Sequence, residues 1–187
     1  MKLKLLGMDP SFSNWGLAAM LYDTEARSLS VAKLDVIQPP KDNSKQVRKS
    51  SQDLARAEYL FERVMSYMPY VDAICIEVPH GSQNARASLG AGACIGLIAA
   101  IRNSHGAKPV ICVNATETRM EITGKTSATK QQGIDWASGL YPDANWPKLK
   151  GQIIASKAEH MADAVAAVHA GIKTETFKML TMLANKE

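Results

Sequence analysis

The sequence predicts an α/β domain: a mixed sheet of about five strands, three antiparallel and then parallel ones, flanked by helices. Three observations predict it. The first part of the chain holds apolar or alternating runs joined by short turns, Leu5–Met8, Trp15–Tyr22 and Ser28–Ile37, the pattern of an antiparallel meander. Two near-continuous apolar runs follow, Val71–Val78 and Pro109–Val113, as expected of strands covered on both faces. Helical periodicity between and after them implies right-handed crossovers, so these later strands run parallel.

A chain of 187 residues, 46% hydrophobic and 21% charged, reads as one soluble domain with a core of its own. The segment 174–187 is expected to form a helical tail. No apolar run reaches the ~18 to 20 residues of a membrane span. Met1-Lys2-Leu3-Lys4-Leu5 leads into a strand rather than a signal peptide, so a cytoplasmic protein without membrane contact is expected. The three cysteines, Cys75, Cys94 and Cys112, sit inside apolar segments, match neither a disulfide framework nor a zinc site, and read as small buried hydrophobes. With 22 Lys and Arg against 18 Asp and Glu, the net charge does not by itself imply an anionic partner; placement must.

The first strand ends in Asp9. An anion at the edge of an apolar sheet costs several kcal/mol unless donors or a cation meet it, so Asp9 is either a turn residue, as Asp9-Pro10-Ser11 allows, or a metal ligand. Gln38–Ser51 is rich in Pro, Ser and Lys and gathers Lys41, Lys45, Arg48 and Lys49; it reads as a surface loop, solvated or in contact with phosphate. Asp53–Tyr67 places Leu54, Ala57, Leu60, Phe61 and Val64 on one face of an amphipathic helix. Glu77 interrupts the buried strand at its end. After the polar loop Pro79–Asn84, Ala85–Ile101 is a helix crowded with Gly and Ala. Gly90, Gly92 and Gly96 there suggest close approach of another backbone, the sheet beneath or the same helix of a second subunit.

Asn114–Ser127 is polar and ends in Gly124-Lys125-Thr126-Ser127. This imitates a phosphate-binding P-loop, but the first Gly of that motif would fall at Arg119, so a nucleotide site is rejected. A helix capped by Ser127 is expected to run to about Gly139, and Leu140–Pro147 is a turn-rich connection. In the helix Ala155–Ala170, His160 and Asp163 share a face, whereas Glu159 points about a quarter-turn aside. Thr174–Leu183 reads as a short amphipathic helix.

In such a sheet Asp9 and Glu77 can end neighbouring strands, and a late helix across that edge would add His160 and Asp163. Three acids and an imidazole at one point repel each other without cations. Two Mg²⁺ or Mn²⁺ ions ~3.5 to 4 Å apart would relieve that conflict and suit in-line phosphoryl displacement.

The ordered segments Gly7-Met8-Asp9-Pro10-Ser11, Ala73–Glu77, Asn84–Gly90, Gly124–Lys130 and His160–Ala164 together resemble the RuvC family of Holliday-junction resolvases, within the ribonuclease H-like superfamily, including its phage-encoded branches. The resemblance implies a ribonuclease H-like fold and a metal-dependent endonuclease that resolves branched DNA by paired nicks, leaving 5′-phosphate and 3′-hydroxyl ends. It implies that Asp9, Glu77 and Asp163 bind metal, two Mg²⁺ or Mn²⁺ ions per site. His160 stands where family members have an acid or a histidine, as ligand or as aid to the attacking water. Lys130 falls on a lysine that meets DNA phosphate near the cut, and Arg119 on a second one, although Arg and Lys are not interchangeable at a tight site. Lys125, Asn84 and Arg86 lie in matched segments; with Lys45, Arg48 and Lys49 of the basic loop they are further candidate DNA contacts. His80 occupies the place of an aromatic that helps to open the junction, a departure that bears on DNA distortion. A homodimer through Ala85–Ile101 is implied as well, in a bacterial or phage-infected cytoplasm; no motor partner is read from the sequence. The competing readings are a junction-binding protein without chemistry and a nuclease for flaps or RNA–DNA hybrids. An actin-like ATP-binding protein would need a second domain for which the chain is too short.

Overall fold

The computed structural model describes residues 1–40, 46–81, 83–104, 106 and 108–184. Its sheet has the order β3-β2-β1-β4-β5, formed by β1 (Lys2–Asp9), β2 (Trp15–Asp23), β3 (Ser28–Ile37), β4 (Ala73–Glu77) and β5 (Val110–Val113). β1, β2 and β3 pair antiparallel, whereas β4 and β5 run parallel to β1, as the crossovers through helices require. Helices α1 (Lys49–Met65) and α2 (Ala85–Asn103) join these strands, and α3 (Ala115–Thr123), α4 (Lys130–Leu140), α5 (Ala155–Gly171) and α6 (Glu175–Ala184) follow, with a short β6–β7 hairpin (Lys148–Leu149, Gln152–Ile153) before α5.

Strand alternation divides the core in two. Leu3, Leu5, Ala18, Met20, Ala73 and Cys75 face α4, α5 and α6, while Leu6, Met8, Leu17, Ile74 and Ile76 face α1 and α2. α5 supplies much of the first layer through small residues, Ala158, Ala162, Ala164 and Val165 among them. Its backbone therefore lies unusually close to the sheet. A Cβ on Gly7 would stand 2.1 Å from the Ala164 carbonyl oxygen, and one on Gly16 2.0 Å from that of His160.

Several expectations are corrected. α1 begins at Lys49 rather than Asp53, its buried residues are Leu60 and Val64, and Leu54 is exposed. The polar stretch after β5 contains α3, which Asn114 and Glu117 start with a reciprocal capping box, strong enough to nucleate a helix that its weak apolar pattern hides. The next helix is capped by Thr129 with Gln132, not by Ser127. Cys112, on the edge strand β5, is exposed rather than buried. Gly92 and Gly96 meet nothing within 4 Å, so the sheet is not what approaches them, although Gly90 does lie against Phe12. By length and composition α2 is also apolar enough to cross a membrane, although here Cys94, Ile98 and Ile101 are buried against the rest of the domain.

Gly16→Ala is expected to cost about 3 kcal/mol or more, since backbone rather than a flexible side chain blocks the new methyl group. Gly139→Ala, with nothing within 4 Å, should change stability by less than about 1 kcal/mol. Urea denaturation midpoints of the two variants check this.

Candidate active site

The β1–β4 register pairs Met8 with Ile76, so Asp9 and Glu77 follow in step at the carboxyl ends of adjacent strands. Alternation turns both toward the α5 side of the sheet. The close seat of α5 then brings His160 and Asp163 down onto the same edge. His160 and Asp9, separated by most of the chain, thus meet, with Nδ1 2.9 Å from Oδ2; α4 also comes close, since a Cβ on its Gly133 would stand 3.7 Å from Asp163 Oδ1.

Two further residues belong to the site. Thr118, buried on α3, donates from Oγ1 to Glu77 Oε2 at 2.6 Å. Glu159 does not point aside: Oε1 stands 3.6 Å from His160 Nε2 and Oε2 2.9 Å from Lys130 Nζ. The first follows from α3, whose capping box was the available signal. The second follows from the reach of a Glu side chain, which a helical wheel drawn on Cα positions omits.

The electrostatics express the crowding. Burial, then the charges of Asp9 and Glu77, pushes the Asp163 carboxyl up to about 7. Burial also raises Glu77, against the Thr118 hydrogen bond that lowers it, with Asp9 adding to the rise. Burial alone would lower His160, but the hydrogen bond to Asp9 and the charges of Asp9, Glu159 and Asp163 outweigh it, so the ring is held above its usual range. Lys130 is raised by its hydrogen bond to Glu159.

A set of carboxylates with one imidazole has the donor chemistry of a site for a hard divalent ion, and burial, with the neighbouring acids adding to it, disfavours the charged forms of Asp163 and Glu77. Among the described residues no three of His, Cys, Asp and Glu already stand together closely enough to hold a metal ion. The residues fit such a group by chemistry and convergence, not as a preformed cage.

Beside Glu77 and Asp163 lies a cavity of about 310 Å³ with Arg119, Thr118, Thr129 and Lys130 in its walls. Lys130 and Arg119 are thus brought to the acids. Lys125 lines a neighbouring cavity with Ser127, Gln132 and Asp135. His80 is exposed on the loop after β4, near enough for its charge to act on Glu77. Asn84 caps α2 by accepting from the backbone N–H groups of Arg86 and Ala87, and Arg86 Nη1 donates to Asp53 Oδ2 at 2.6 Å, tying α2 to α1. Arg48 and Lys49 are exposed at the start of α1, away from the acids along the chain, and Lys45 lies outside the described residues.

Because Asp163 binds its proton more tightly folded than unfolded, the folded chain keeps a proton between about pH 4 and 7 that the unfolded chain releases. Stability conferred by this group therefore falls as pH rises through that window. In EDTA, Asp163→Asn should be more stable than the parent at pH 8 by roughly 1–4 kcal/mol, and the gain should shrink toward pH 4. Thermal melts across that range measure it.

No family model and no curated protein matches the sequence. Solved structures do match the fold. Thermus thermophilus RuvC in complex with a Holliday junction substrate superposes with a TM-score of 0.60 at 15% identity, over 88% of this chain and 92% of that one. The same protein in another structure gives a TM-score of 0.58 at 16% identity, over 91% and 97%. Fowlpox virus resolvase with its substrate Holliday junction DNA gives 0.53 at 16% identity, over 95% and 99%. A five-stranded mixed sheet of this order, with α5 laid across it, is the ribonuclease H-like fold of those RuvC-like resolvases, and it is the fold of this chain.

Proposed function

We propose that this chain is a metal-dependent, structure-selective endonuclease that resolves four-way junctions and other branched DNA by paired nicks. One observation carries the reading: three carboxylates and an imidazole from the beginning, middle and end of the chain converge on one sheet edge, beside a cavity walled by Arg119 and Lys130. Asp9, Glu77, Asp163 and His160 would hold two Mg²⁺ or Mn²⁺ ions. Such ions, when bound, lower the pKa of an attacking water and stabilise charge on the leaving oxygen of an in-line displacement that ends in 5′-phosphate and 3′-hydroxyl.

The chain's own residues do the positioning. Asp9 fixes the His160 ring through Nδ1, and Nε2, 3.6 Å from Glu159 Oε1, is the nitrogen that would meet a ligand or a water. Thr118 sets the Glu77 carboxylate. Lys130 is mostly exposed, its side chain 79% accessible, so it can exchange Glu159 for a DNA phosphate, and Arg119 grips the same backbone without reading bases. Two copies pair through α2, whose Leu89 and Ile95 are 57% and 47% exposed beside the open Gly92 and Gly96, and so present two sites to opposing strands.

The second reading, a junction-binding protein that does not cut, is favoured by the absence of a preformed metal cluster among the described residues. Incubation of the protein with a synthetic four-way junction and Mg²⁺ separates the two. Paired nicking is expected, with Asp9→Asn slower by about 100-fold or more; binding that persists in EDTA without any nick under Mg²⁺ or Mn²⁺ supports the second reading. Forks, flaps and RNA–DNA hybrids in the same panel rank the substrates. Ile95→Glu, a change at a position already open to solvent, should convert dimer to monomer in sedimentation equilibrium while preserving the circular dichroism spectrum.

A further inference from the structure

We propose that the cavity between the Phe12 turn and helices α1 and α2 receives one unstacked nucleobase of the strand being cut. This rests on the nuclease reading above and gives the same edge of the sheet a second subsite.

The cavity measures about 560 Å³, within the range of small-ligand pockets. It opens where the sheet of an α/β fold offers a crevice, at the carboxyl ends of its parallel strands. The chain passes directly from Asp9 to Pro10 in its wall. Phe12 belongs to the α1–α2 side of the core, so the cavity lies across the sheet edge from α5, with the acids between. Cys94 in its wall senses that proximity: burial, then the charge of Asp9, pushes its thiol up to about 12.

The lining favours a base over a phosphate. Phe12, Ala87, Gly90 and Ala91 present carbon to it, and Phe12 packs closely on α2 at Gly90, where a Cβ would stand 3.4 Å from Phe12 Cβ. The Arg56 guanidinium stands 5.4 Å from the Phe12 ring centroid. Arg86 is spent on Asp53 at 2.6 Å, and Arg56 lies 3.8 Å from the same carboxylate. Two guanidinium groups against one carboxylate leave a modest positive wall, while an aromatic ring and an arginine plane offer surfaces on which any base can stack. A base reaches such a pocket only after leaving its own stack, which costs a few kcal/mol in duplex and least where pairing is already interrupted. Capture of a base here therefore selects branch points.

The test measures binding of four-way junctions carrying a single abasic site at each of three positions on either side of the cut, with Ca²⁺ replacing Mg²⁺. Wild type, Phe12→Ala, and Ala91→Phe, which fills the cavity, are compared. At one position the abasic site should weaken wild-type binding at least about fivefold, the lower end of base–aromatic stacking, and in both variants the same lesion should cost less than about twofold. Indifference of the wild type to every abasic position, or an undiminished loss in both variants, overturns the pocket. If the intact junction is bound, and is cut once Mg²⁺ replaces Ca²⁺, but lesions are ignored, the pocket fails and the nuclease stands; if no branched DNA is bound at all, both fail.

Discussion

The site depends on how closely one helix can lie on one sheet. α5 rests its backbone on β1 and β2 where Gly7 and Gly16 have no side chain, with the carbonyls of Ala164 and His160 filling the space two Cβ atoms would need. That contact is a packing matter, made by alanines on the helix and glycines on the strands. Its consequence is electrostatic, because it lowers His160 and Asp163 to the level of Asp9 and Glu77 and leaves all four half-buried. Carboxylates at that depth interact several-fold more strongly than on a surface.

The fold answers the resulting repulsion unevenly. Asp9, His160, Glu159 and Lys130 form a chain of contacts from the sheet edge to solvent, carboxylates alternating with nitrogen groups. Glu77 has the Thr118 hydroxyl. Asp163 feels both other acids as well as its own burial, and its carboxyl is pushed up to about 7. A domain built for stability alone would place an apolar residue there; keeping the acid costs stability at neutral pH and preserves a demand for positive charge at the site.

Much of this was legible in the sequence because it rests on periodicity. Period-two alternation assigns Asp9 and Glu77 to one sheet face, parallel register makes them neighbours, and the i, i+3 spacing of His160 and Asp163 places them together on α5. What escaped depends on terms that such patterns omit. α3 is held by its Asn114–Glu117 capping box rather than by an apolar stripe, so Thr118 was hidden in a stretch read only as polar. Glu159 enters through the length of its side chain. Cys112 resembles Cys75 in its apolar setting, but it lies on an edge strand, and the coverage of an edge is decided by helices far away in the chain.

The surroundings of the acids divide into two chemically different halves. On the α3–α4 side the cavity wall carries Arg119 and Lys130, groups suited to phosphate. On the α1–α2 side a second cavity carries Phe12 with two arginines that share the single carboxylate of Asp53. A polyanion laid across the edge would be held by its backbone on one side and by a base face on the other. A net charge of only +4 suits that division, since affinity drawn partly from stacking needs fewer phosphate contacts and therefore releases fewer counterions. Selectivity for branched over linear DNA would then reside less in the overall field of the protein than in the cost of freeing one base, which the shape of the substrate determines.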